Sequence, residues 1–106
     1  MVDRKQIEEF ASEIARQFSP EKIILFGSQA RGTATDDSDV DMLVMMNFEG
    51  RRADITSKIR KNIPFNHALD LLVRKTEDVK WRIEQNDWFL QDVMKEGIVL
   101  YEAANT

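Results

Sequence analysis

Two short apolar runs separated by a polar stretch that opens on a glycine limit what this chain can fold into more than any other feature. Lys22-Ile-Ile-Leu-Phe26 is β-branched and aromatic and stops at Gly27. Runs this short with such side chains read as buried strands closed by a turn. The second run, Asp39 to Met46, alternates at first (Asp39, Val40, Asp41, Met42) and then becomes apolar on both faces. That pattern is expected of a strand that enters a core from an open edge. Between the runs, Ser28 to Gly32 can hold one helical turn, and Thr33 to Ser38 is polar and short-sided.

The flanking sequence supplies helices to cover these strands. Ile7, Phe10, Ala11, Ile14, Ala15 and Phe18 recur at spacings of three and four, which predicts a helix from about Asp3 to Phe18 with Asp3 as its N-cap. Ser19-Pro20 ends it, because the residue before proline avoids helical geometry and proline cannot continue the hydrogen-bond ladder. Arg51 to Asn62 reads as a second helix with Ile55, Ile59 and Ile63 as a sparse stripe, closed by Pro64. Ala68 to Val73 is a third strand, with Ala68, Asp70 and Leu72 on one face and Leu69, Leu71 and Val73 on the other. Thr76 opens a charged helix that breaks near Asn86. Trp88, Phe89, Val93 and Met94 then form a further stripe ended by Gly97, and Ile98 to Tyr101 can form an edge strand. The expected fold class is α/β (α+β): a small mixed sheet of three to four strands with helices packed on it, as one domain over residues 1–106. A chain of this length buries roughly 65% of its unfolded surface, enough for one such unit.

Composition excludes several function classes. No cysteine is present, so disulfide frameworks, zinc fingers and thiol catalysis are ruled out, and a cytoplasmic location is the default. The longest apolar runs fall far short of the ~20 residues a membrane span needs. No export signal is visible at the N-terminus. A net charge of -4 argues against a broad grip on nucleic acid, which depends on neutralising many phosphates, but leaves binding of a single nucleotide open.

The chemistry concentrates in Gly27-Ser28-Gln29-Ala30-Arg31-Gly32 and Ser38-Asp39-Val40-Asp41. A glycine and serine at a strand-to-helix turn can present free backbone N–H groups to a phosphate. Residues two apart on a strand lie ~6.6 Å apart and share a face, so Asp39 and Asp41 can converge on cations. Mg²⁺ takes hard oxygen ligands at about 2.1 Å, and two ions ~4 Å apart can activate an attacking oxygen and steady a leaving group. Asp70 is the best third carboxylate, since an unpaired charge within an apolar strand costs on the order of several kcal/mol unless compensated. Asp54 is a weaker substitute. An EF-hand starting at Asp37 fails, because Met42 would stand where glycine is required and Phe48 where the bidentate glutamate is required.

Glycine-serine, ten residues (29 to 38), then Asp-x-Asp, with a later Asp in a hydrophobic strand, resembles the DNA polymerase β-like nucleotidyltransferases, and GSQARG…SDVD resembles the minimal nucleotidyltransferases of antitoxin type. That resemblance implies a transferase that moves a nucleoside monophosphate, AMP from ATP or another NTP, to a hydroxyl. It implies metal binding by Asp39 and Asp41, with Asp70 completing the metal site and positioning or activating the acceptor. Nucleotide contacts would fall on Gly27, Ser28, Arg31 and Ser38, although Arg31 could equally pin the turn through a carboxylate. Larger family members carry further domains for base and acceptor, for which no residues remain in this sequence. Minimal members are paired with a helical HEPN-domain protein, in many cases as antitoxin and toxin, so the implied acceptor is a tyrosine on such a partner. Two alternatives stand beside this reading: a binding module that silences its partner by occlusion, and a small-molecule nucleotidyltransferase acting on an antibiotic. His67 reads as a packed or solvated side chain. Arg51, Arg52, Lys58, Arg60 and Lys61 read as a solvated helix face from which Arg51 or Arg52 could reach a phosphate or partner, and Trp81 and Trp88 as core or interface anchors.

Overall fold

The computed structural model of the chain describes residues 2–104. The expected domain range of 1–106 extends over Met1, Asn105 and Thr106, which lie outside the described residues. The elements run α1 (Arg4–Phe18), β1 (Lys22–Phe26), α2 (Ser28–Arg31), β2 (Val40–Met45), α3 (Arg52–Asn62), β3 (Leu69–Arg74), α4 (Thr76–Glu84), α5 (Trp88–Glu96) and β4 (Ile98–Glu102). Asp3 caps α1 as expected: its carboxylate accepts from the Gln6 amide at 2.8 Å, and the Gln6 side chain accepts from the Asp3 amide at 3.0 Å. No helix among the described residues is long and apolar enough to cross a membrane.

The sheet is mixed, ordered β3-β2-β1-β4. β1 pairs antiparallel with both β2 and β4, whereas β2 and β3 are parallel. Parallel neighbours need a crossover, and α3 provides it. Register fixes rows across the sheet: Phe26 opposes Asp41, and Asp41 opposes Asp70.

Helices cover both faces of the sheet, and side-chain alternation divides the core in two. Ile23, Leu25, Val40, Met42, Val44, Leu71 and Val73 pack under Ile7, Phe10 and Ile14 of α1 and Ile59 of α3. On the other face Ile24, Leu43 and Met45 meet Val79 of α4 and Leu90 and Val93 of α5. The expected α5 stripe is rotated: Leu90 and Val93 are buried, while Trp88 and Phe89 are 78% and 51% exposed. The two aromatics open the helix before it reaches the sheet, so size misleads there and the i, i+3 pair decides. Trp81 is likewise 59% exposed, so neither tryptophan is a core anchor.

Gly97 ends α5 as expected, but for a different reason. Its backbone is extended (φ -69°, ψ 159°). A Cβ there would stand 2.3 Å from the Val93 carbonyl oxygen and 2.4 Å from Ile24 Cγ2. Close approach of the α5–β4 junction to β1 therefore demands glycine, without any left-handed turn. Gly97→Ala should cost about 2 kcal/mol or more, the scale of forced overpacking, read as a lower urea midpoint with unchanged slope. An unchanged midpoint would mean the junction is looser than described.

Candidate active site

Gly27 is the element on which the site is built. Its φ of 73° and ψ of -156° lie in a region open essentially to glycine alone. It caps α2, whose Ala30 and Arg31 amides both donate to the Gly27 carbonyl at 3.1 Å. A Cβ on Gly27 would fall 2.2 Å from Asp41 Oδ2. The glycine thus turns the chain at the end of β1 and leaves the volume that the Asp41 carboxylate fills.

Asp41 and Asp70 are register partners on neighbouring strands, which places their Cα atoms ~4.8 Å apart on one face. They share a pocket of about 400 Å³ with Gly27, Arg31, Phe26, Phe89 and Val93. Phe26 and Phe89 meet edge to face at 5.5 Å and form its apolar wall. Burial pushes the Asp41 carboxyl above its ordinary proton affinity, the charges of Asp70 and then Asp39 push it further, and Arg31 opposes them. Arg31 makes no ion pair among the described residues, so it does not pin the turn through a carboxylate.

Asp39, expected to open β2, stands one residue before it. β2 begins at Val40, leaving Asp39 just outside the strand, exposed and not among the pocket lining, although its charge reaches Asp41. Among the described residues no three His, Cys, Asp or Glu side chains stand close enough together to hold a metal unaided. The Ser38 hydroxyl is engaged in its own loop, accepting from the Thr35 amide at 2.8 Å. Asp54 pairs with Arg51 at 3.2 Å and does not line the pocket, and His67 packs edge to face on Phe65 at 5.4 Å.

Two carboxylates that sequence reasoning passed over face this pocket from α5, Asp92 and Glu96. They are an i, i+4 like-charge pair, which costs a helix a few tenths of a kcal/mol and was the available signal. Four carboxylates against one arginine make a pocket that repels a polyphosphate unless a cation intervenes. The donor set fits Mg²⁺, which is commonly held by one or two carboxylates with substrate phosphates completing its shell. Asp41 and Asp70 would supply the hard oxygens, with the charge of Asp39 close enough to act on Asp41.

A carboxyl whose proton affinity is higher folded than unfolded binds more protons in the native state. Its contribution to stability therefore falls as pH rises from the unfolded pKa through the folded one, and stays lost above. Asp41→Asn should accordingly raise the thermal midpoint by a few degrees at neutral pH in chelator, with the difference closing below the ordinary carboxylate range. A lower midpoint, or a gap unchanged at acid pH, would contradict the electrostatic account.

The family description "Polymerase beta, Nucleotidyltransferase" matches residues 5–106. A Methanocaldococcus jannaschii protein described as a "putative protein adenylyltransferase" is 31% identical over 104 residues, covering 95% of this chain and 100% of that one. A second protein of the same organism and description is 47% identical over 51 residues, 45% of this chain and 35% of its own. Among solved structures, a "putative nucleotidyltransferase" from Sulfolobus solfataricus superposes with a TM-score of 0.59 at 24% identity, covering 92% of this chain and 78% of that one. A toxin–antitoxin structure with AMP-PNP superposes at 0.58 and 22% identity, covering 91% and 73%. The structural likenesses establish the shared fold. The full-length sequence relative and the family match establish membership: this chain belongs to the polymerase β-type nucleotidyltransferases.

Proposed function

We propose that this chain is an Mg²⁺-dependent adenylyltransferase that moves AMP from ATP to a tyrosine hydroxyl of a HEPN-domain toxin and thereby acts as its antitoxin. The observation that carries the chemistry is the register pairing of Asp41 with Asp70 beside a glycine bend that only Gly27 permits. Support for the acceptor class comes from the relative described as a protein adenylyltransferase, and support for the partner class from the toxin–antitoxin neighbour.

In this reading Asp41 and Asp70 hold the metal, with Asp39 contributing when nucleotide is bound. When bound, Mg²⁺, as two ions, supplies charge neutralisation for the triphosphate. Gly27 and Ser28 offer backbone N–H groups, and Ser28 a hydroxyl, to the phosphates, while Arg31 reaches over them from the end of α2. Phe26 and Phe89 exclude water from one side. Asp70 orients the acceptor hydroxyl and takes its proton as the new bond from oxygen to the α-phosphorus forms. The bond from that phosphorus to the bridging oxygen breaks in line, and pyrophosphate leaves with its electron pair. A second reading is neutralisation of the partner by occlusion alone, without transfer.

Incubation with labelled ATP and Mg²⁺, alone and with the neighbouring gene's product, followed by intact mass measurement, separates these readings. The partner should gain one or more AMP units, and Asp70→Asn should slow the gain by at least about 100-fold, the scale of losing a group that acts in the transition state. Full neutralisation of the partner without any mass change would establish occlusion. Label on a small acceptor without a protein partner would point to a small-molecule transferase.

A further inference from the structure

Beyond Asp70 the same face of the sheet opens into a second, larger groove of about 860 Å³. Its floor is Leu43 and Leu72, and its walls include Phe48 before α3 and Phe89 of α5. Phe89 also walls the acidic pocket, so the two hollows meet at that ring. The charge of the second groove is opposite to the first. Arg52 at the start of α3, Arg74 at the end of β3, Lys75 and Arg82 of α4 all line it.

None of these four cations has a carboxylate within ion-pair distance among the described residues. Arg74 is half-buried and donates to the Val73 carbonyl at 2.9 Å. Burial, then the charges of Arg52 and Arg82, lower its proton affinity, with Asp70 opposing. Two acids also line the groove. Asp87 is committed to capping α5 through the Leu90 amide at 3.0 Å, and Asp78 stands exposed in the first turn of α4. Lys75 lies over the Phe48 ring at 5.4 Å. Cations on an edge strand such as β3 can serve only to keep like edges apart. Crowding three guanidiniums, one of them half-buried, exceeds that need, since each repels the others until an anion joins them.

We propose that this groove receives an acidic polypeptide segment of the acceptor protein, next to the hydroxyl presented at Asp70. The inference rests on the transferase reading for its placement: the nucleotide phosphates lie at Gly27 and Ser28 on the β1 side, so the acceptor approaches past β3. Several arginines suit carboxylates, which they meet with paired N–H donors. The apolar floor and the volume suit several residues of chain and exceed what one phosphate fills. Arg60 and Arg74 already occupy the outward carbonyls of Leu69 and Val73, so recognition runs through side-chain charge and not through strand addition.

The test is fluorescence anisotropy of the full chain with a labelled glutamate–tyrosine peptide and its lysine–tyrosine counterpart, with Mg·ATP binding followed by calorimetry in parallel. The acidic peptide should bind about tenfold more tightly, the sum expected of a few part-exposed ion pairs, and the preference should shrink with salt. Arg52→Gln with Arg82→Gln, both exposed positions outside the nucleotide pocket, should abolish the preference while leaving Mg·ATP binding unchanged. The proposal is overturned by equal binding of the two peptides, by an unaffected double variant, by an RNA oligonucleotide that binds more tightly than the acidic peptide, or by its displacement with tripolyphosphate at equal concentration. Failure of the wild-type chain to bind Mg·ATP would instead sink the transferase reading, whatever the peptides do.

Discussion

The space left by the missing Cβ of Gly27, which the Asp41 carboxylate fills, is the constraint on which the site depends. A side chain at position 27 would need the space that Asp41 Oδ2 occupies and could not adopt the backbone angles that start α2. That one glycine therefore does two things: it turns the chain from β1 into α2 and leaves the space that the Asp41 carboxylate fills. β-sheet register does the remainder by setting Asp70 beside Asp41, and the apolar rows that follow lock that register, because a shift by one residue would turn Leu43, Met45 and Leu72 to the wrong face.

The cost of this arrangement is visible in the electrostatics. Asp41 is partly withdrawn from water and faces two like charges, so its ionised form is disfavoured. Perturbed carboxylates of this kind collect at functional sites, where a cation or proton relieves them. The neighbouring groove carries the complementary strain, with arginines crowded against one another. A chain with net charge -4 thus keeps a strongly acidic hollow and a strongly basic one on one face, joined at Phe89. Summed charge conceals that separation.

Local features of the sequence carried far. The ends of β1, the Asp3 cap of α1, the break between α4 and α5 and the alternation of β3 all follow from short-range patterns, and parity alone put Asp41 and Asp70 on facing-compatible positions. What did not follow is non-local. The adjacency of β2 and β3 depends on strand order, which no single strand's pattern encodes. Asp39 fell outside β2 because pairing with β3 starts only at Val40. Asp92 and Glu96 face the pocket because α5 is turned by Leu90 and Val93, a rotation hidden by the larger Trp88 and Phe89. The basic groove draws on residues from α3, β3 and α4, which meet only in the folded chain.

The central claim is that two paired carboxylates beside the glycine bend make nucleotide binding depend on a divalent cation. Calorimetric titration of ATP into the wild-type chain and into Asp41→Asn, each with Mg²⁺ and with chelator, tests it most directly. The account requires binding by the wild-type chain that appears only with Mg²⁺ and loses its metal dependence in the variant. Equal ATP affinity with and without the cation, or an Asp41→Asn chain that retains full Mg²⁺-linked binding, would contradict it.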